Sequence, residues 1–257
     1  MIQRTPQDGL HIMVEGIDGS GKSTVLHACQ EWAEKRGVTF FDTVKFSQEN
    51  HRIAEVTDVG NASGLLSAEP TFAWTGAAIR NEIISKHENE SVPRYSGAET
   101  AEAFSLDRLV LFRRLIIPFL QNHKDRIVFQ DRGFASSLAY QPLQDPSLTT
   151  QSLLALSGNA QTIAFAPTIL ILIRTEAAAA IARLAKRTEK QDNDIFEDKN
   201  FQERLAIHFL SDEVLGPFRE AGTAIVEIDG NQTPEAVSQT VQTALSTNLP
   251  DFGSMRP

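Results

Sequence analysis

The sequence predicts an α/β protein of three layers, with a central parallel sheet flanked by helices. Three observations predict it. Apolar strand-like runs alternate with helical patterns from residue 10 onward, the signature of βα units. The run PTILILI at 167–173 is apolar on both faces, as a central strand covered by helices must be. A glycine-rich segment at 16–23 joins the first strand-like run to the first helical one.

In chain order, HIMVEG (11–16) reads as a strand and KSTVLHACQEWAEKRG (22–37) as a helix. Residues 45–66 are polar and turn-rich and have two readings, a hairpin excursion or a loop inserted in the domain. Residues 98–122 read as one long helix. Leu106, Val110, Leu111, Leu115 and Phe119 recur near helical spacing, and Pro118 either kinks the helix or marks its last turn. DRIVFQD (125–131), PTILILI and TAIVEID (223–229) supply further strands, and EAAAAIARLAKR (176–187) and PEAVSQTVQTAL (234–245) further helices. The tail at 248–257 is expected to be disordered.

Composition narrows the function. A chain of 257 residues, 41% hydrophobic, can bury a substantial core, and its length suits one domain spanning 1–257. Twenty-four Lys and Arg against 33 Asp and Glu leave a formal net charge of −9, with both signs mixed along the chain. Such a chain offers no broad cationic face for polymeric nucleic acid. The single cysteine, Cys29, falls in the first helical pattern and cannot form an internal disulfide. No secretion signal or membrane-spanning apolar run is apparent, so a soluble, cytoplasmic protein without a membrane partner is expected.

Gly16-Ile17-Asp18-Gly19-Ser20-Gly21-Lys22-Ser23, followed by Thr24, satisfies G-x-x-x-x-G-K-[ST] between a strand and a helix. In that setting the glycines let backbone N–H groups face phosphate oxygens. Lys22 reaches the β- and γ-phosphates of a nucleoside triphosphate, and the Ser23 hydroxyl can ligate Mg²⁺. ATP and Mg²⁺ are therefore the expected cosubstrate and metal. The loop alone does not distinguish a kinase from a switch or motor.

VEGIDGSGKST (14–24) resembles the opening of thymidylate kinases, the P-loop nucleoside monophosphate kinases that phosphorylate dTMP. Four more stretches repeat the resemblance in order: EPTFAWTGAAIR (69–80), FSLDR ending in Asp107-Arg108, DRGFASSLAYQ (131–141), and a basic lid leading to Asp194, Glu197 and Phe201. The resemblance covers nearly the whole chain. It implies transfer from ATP to dTMP, with Glu69, Phe72, Trp74, Arg80, Arg108, Arg113, Arg132, Tyr140 and Gln141 on the acceptor side. Asp18 would position the sugar hydroxyl or help organise Mg²⁺. Asp131, at a strand's carboxyl end, would bind Mg²⁺ with Ser23 or else cap the next helix. The phosphate loop carries no arginine, so the resemblance assigns the catalytic arginine to a lid at about 183–197, at Arg187 before Arg183. EIDGNQTPE (227–235) either cradles adenine or simply connects to the last helix with Thr233 as its cap. A homodimer formed through helices is also implied, with 98–122 as a candidate face.

Three positions depart from the family pattern: Gly133 follows Asp131-Arg132 where an aromatic residue or histidine is usual, Ala68 precedes Glu69-Pro70, and Arg113 lies near the expected base edge. They leave open another or modified pyrimidine nucleotide, or a nucleoside, as acceptor. A third reading is a catalytically inactive nucleotide-binding module.

Overall fold

A computed structural model describes residues 8–85, 94–186 and 199–252. Their six strands form one parallel sheet in the order β2-β3-β4-β1-β5-β6: β1 Leu10–Glu15, β2 Phe40–Asp42, β3 Gly64–Ala68, β4 Ile127–Asp131, β5 Ile169–Arg174 and β6 Ala224–Asp229. The period of two is visible in the packing of β5. Ile169, Ile171 and Ile173 face a core shared with Ile12 and Val14, while Leu170 and Leu172 face another. Both faces are covered, which is why this strand reads as an unbroken apolar run.

The helices are α1 Lys22–Glu34, α2 Thr43–Asn50, α3 Val56–Val59, α4 Trp74–Ala78, α5 Gly97–Leu111, α6 Ile117–Leu120, α7 Phe134–Gln144, α8 Thr150–Leu154, α9 Ser157–Ala164, α10 Ala177–Leu184, α11 Lys199–His208, α12 Asp212–Glu220 and α13 Pro234–Asn248. α1 buries Val25, Ala28, Cys29, Trp32 and Ala33, one apolar stripe, against the sheet and α13. α5 starts at a capping box in which Ser96 and Glu99 satisfy each other's backbone N–H groups.

The structure departs from the sequence expectations in three places. Residues 45–66 are neither a hairpin excursion nor an inserted loop. They hold most of α2, all of α3 and the start of β3, whose Leu65 and Leu66 pair with both β2 and β4. The expected single helix at 98–122 begins at Gly97 and contains a π-helical segment, Phe112–Ile116, between α5 and α6; Pro118 lies in its last turn. Leu106, placed inward by periodicity, is 51% exposed. In the tail, Leu249 and Phe252 pack on the α1–α13 core and Phe252 stacks on Trp32 at 5.6 Å, so order extends past 248; residues 253–257 lie outside the described residues.

Candidate active site

Parallel pairing sets three loops side by side. Asp131 at the end of β4 is level with Val14 of β1 and Ala68 of β3, so the segments leaving these strands emerge together at the sheet's carboxyl edge, where sites form in α/β folds. From β1 leaves the glycine-rich loop. Gly19 adopts φ 76°, and a Cβ there would lie 2.3 Å from the Ala180 carbonyl oxygen of α10, so neither the turn nor the helix tolerates a side chain. Gly21, in the left-handed region, is the N-cap of α1.

A cavity of about 350 Å³ opens over this edge. The loop lines one side with Asp18, Gly19, Gly21, Lys22 and Ser23; Glu69, Phe72 and Arg80 line the other, with Asp131, Arg132, Tyr140 and Gln141 between. The Lys22 ammonium donates to the Gly16 and Ile17 carbonyls at 3.0 and 2.9 Å. Burial and the nearby Arg132 guanidinium push its pKa down to about 8, against Asp18, Asp131 and Glu15. Asp18 accepts hydrogen bonds from Arg132 and from the Tyr140 hydroxyl, the latter at 3.0 Å. Burial works to raise its carboxyl, but Arg132 and Lys22, together with these hydrogen bonds, outweigh it and hold the group at about 2.

Arg132 occupies the left-handed region, φ 62°, and reaches Gly16 O and Ser136 Oγ at 3.3 and 3.2 Å. Glu15, fully buried, accepts from the N–H groups of Gly133 and Ser136 at 2.8 and 3.0 Å and from Ser136 Oγ at 2.6 Å, tying the phosphate-loop strand to the start of α7. Its pKa is raised by burial, and Arg132 opposes the rise. On the far wall the Arg80 guanidinium lies over the Phe72 ring, 3.7 Å from its centroid, and donates to the Pro70 and Thr71 carbonyls.

Several expected residues lie elsewhere. Arg108 is 1% exposed and does not line the cavity; its guanidinium is taken up by Glu69 at 2.8 Å, Ser137 at 3.0 Å and Asn159, leaving it behind the wall that Glu69 forms. Burial raises the Glu69 pKa to about 7, and Arg108 opposes the rise. Trp74 is 55% exposed beneath Arg114, away from the cavity. Arg113 lies in the π segment on an exposed face and also does not reach it. Arg183 is brought to the phosphate loop, donating to Ser20 O at 3.4 Å and to Gly230 O at 2.7 Å. Arg187, Asp194 and Glu197 lie outside the described residues; Phe201 packs on Tyr140 with ring centroids 6.0 Å apart. Thr233 caps α13. Sequence reasoning missed Glu15, Gln130 and Ser137. The signal for two of them was present: a carboxylate and an amide sit inside otherwise apolar strand runs, where only a bonded polar group is tolerated.

A glycine-rich loop at the head of α1, facing a second wall across one cavity at the carboxyl edge of a parallel sheet, defines a P-loop phosphotransferase that binds nucleotides. The thymidylate kinase family model matches residues 51–241, from just after α2 onward. Curated relatives extend the similarity over the phosphate loop. A thymidylate kinase of Cereibacter sphaeroides is 30% identical over 245 residues, 94% of this chain and 96% of its own. A probable thymidylate kinase of Methanosphaera stadtmanae is 27% identical over 91% and 95% of the two chains, and one from Thermococcus gammatolerans 29% identical over 72% and 75%. The chain belongs to the thymidylate kinase family, enzymes that transfer a phosphoryl group to a phosphate acceptor. No described helix is long and apolar enough to cross a membrane.

Proposed function

We propose that the protein transfers the γ-phosphoryl group of ATP to dTMP, forming dTDP and ADP. The observation that carries this reading is the continuity of one cavity from Lys22 and Ser23 to Phe72 and Arg80, which provides for two nucleotides meeting end to end. The loop N–H groups and Lys22 hold the β- and γ-phosphates. Phe72 stacks on the pyrimidine, Arg80 and Gln141 meet its edge, Arg132 grips the monophosphate, and Asp18 with Tyr140 orients the sugar. The acceptor is itself a phosphate oxygen, largely ionised near neutral pH, so no strong general base is needed. Catalysis then rests on alignment and on cations around the moving group, with Arg183 and Arg187 supplied by the lid.

The residues present fit a magnesium ion. Ser23 and Asp131 both line the cavity, and the buried Oδ1 of Asp131 has no hydrogen-bond partner among the described residues. Two side chains suffice for Mg²⁺, which takes its remaining ligands from water and phosphates; no group of three or more acidic, His or Cys residues suited to a metal occurs among the described residues. Bound there, the ion would spread charge from the β- and γ-phosphates.

The protein also forms a homodimer in this reading, through the α5 face on which Leu106 is exposed. The acceptor is tested by ADP release with dTMP, dUMP, dCMP, dGMP and thymidine in turn. Fastest turnover with dTMP is expected. Tight ATP binding with no turnover on any acceptor would overturn the proposal.

A further inference from the structure

Gln130 is fully buried on β4, next to the expected magnesium ligand, yet its amide satisfies three partners at once. Its Nε2 donates to Glu69 Oε1 and to the Arg132 carbonyl, both at 2.9 Å, and its Oε1 pairs with His11 Nε2 at 2.9 Å. The Arg132 carbonyl can only accept, so the amide nitrogen, not its oxygen, must face it. The oxygen then faces His11, which must present an N–H: the imidazole is the neutral Nε2–H tautomer. Flipping the amide would set its oxygen against the Arg132 carbonyl oxygen, two acceptors with no hydrogen between them. Burial, opposed by the bond to Gln130, keeps His11 neutral by lowering its pKa to about 4, and the ring is clamped edge-on to Phe112 at 5.7 Å.

What Gln130 holds is the backbone of Arg132, a non-glycine residue in the left-handed region, a conformation that must be imposed by its surroundings. Two bonds impose it: Arg132 N–H donates to Val14 O at 3.0 Å, and its carbonyl accepts from Gln130. That conformation aims the guanidinium at Asp18 and across the cavity. Gly133 leaves room for the arrangement, since a Cβ there would lie 2.5 Å from Met13 Cε and 3.1 Å from Gln130 Nε2.

We propose that Gln130, oriented by His11, is a positioning residue for the acceptor nucleotide: its amide couples the Glu69 wall to the Arg132 backbone and so fixes the aim of the Arg132 guanidinium. The inference rests on the acceptor reading above. The test is steady-state kinetics of Gln130→Met, His11→Phe and the double variant, with dTMP and ATP varied separately. Gln130→Met should raise KM for dTMP about tenfold or more, the scale of a lost hydrogen bond to a charged network, with KM for ATP within about twofold. His11→Phe should act in the same direction more weakly. Because His11 works only through Gln130, the double variant should match Gln130→Met alone. Equal rises in both KM values, unchanged KM values with a lowered Tm, or additive effects of the two substitutions would overturn the positioning role. If Gln130→Met does not fold, His11→Phe reads the same KM split, and a wild-type KM for dTMP in that variant overturns the role. Wild-type protein that turns over no phosphate acceptor removes the proposed function and this inference with it; an active wild type with unsplit variants removes the inference alone.

Discussion

At the residue scale, the site is a set of charges that hold one another out of their ordinary ranges. Burial, and Arg132 beside it, push the Lys22 pKa down from 10.5 to about 8. A phosphate anion beside its ammonium would restore the higher value, so ATP binding should take up a proton once pH exceeds about 8. Affinity for ATP is then expected to fall above that pH by at most about tenfold per unit, and calorimetric enthalpies there should depend on the buffer. In Lys22→Met the affinity should be weaker and this added slope absent. Asp18 shows the opposite sign. Its pKa is depressed from 3.8 to about 2, so the stability it contributes is present above about pH 4 and lost as pH falls toward 2. Its side chain is 32% exposed, which screens the effect. Denaturation midpoints of Asp18→Asn should show a flatter acid limb than those of the wild type.

At the scale of elements, two contacts fix the acceptor wall. α9 packs so closely on α5 that a Cβ on Gly158 would lie 1.8 Å from the Ser105 carbonyl oxygen, and the Gly158 N–H donates to Ser105 Oγ at 2.9 Å. Gly158→Ala should destabilise the fold by about 1–3 kcal/mol or more, as overpacking does, measured as a lower denaturation midpoint. The second contact is Asn159 on Arg108, which puts an α9 side chain directly behind Glu69. Arg113, in the π segment, is exposed and does not line the cavity, so Arg113→Ala should leave KM for dTMP within about twofold of wild type.

These elements also show what was legible in the sequence. The phosphate loop, β1, β4, β5 and β6 were readable because each is a local pattern, a glycine motif or an apolar run. β2 and β3 were not, since a three-residue strand and GLLSA carry no pattern until their neighbours pair with them. Leu106 recurs at helical spacing yet is exposed, and Arg113, expected near the base edge from the family pattern, lies exposed in the π segment, which departs from the regular 3.6 period. Arg108 was recognisable as important, but its burial behind Glu69 depends on α9, which is distant in sequence.

At the scale of the whole molecule, the parallel sheet places the loop after β1 opposite the segment after β3, with the Asp131–Arg132 turn between them. Dimerisation would bury Leu106, so Leu106→Glu should shift light-scattering mass toward the monomer while ATP binding stays unchanged. The most direct measurement is the fate of the transferred group. With ATP labelled at its γ-phosphorus and unlabelled dTMP, the label should appear in the β-position of dTDP. Label recovered only as inorganic phosphate, or left in ATP with both nucleotides bound, would contradict transfer between two nucleotides in one cavity.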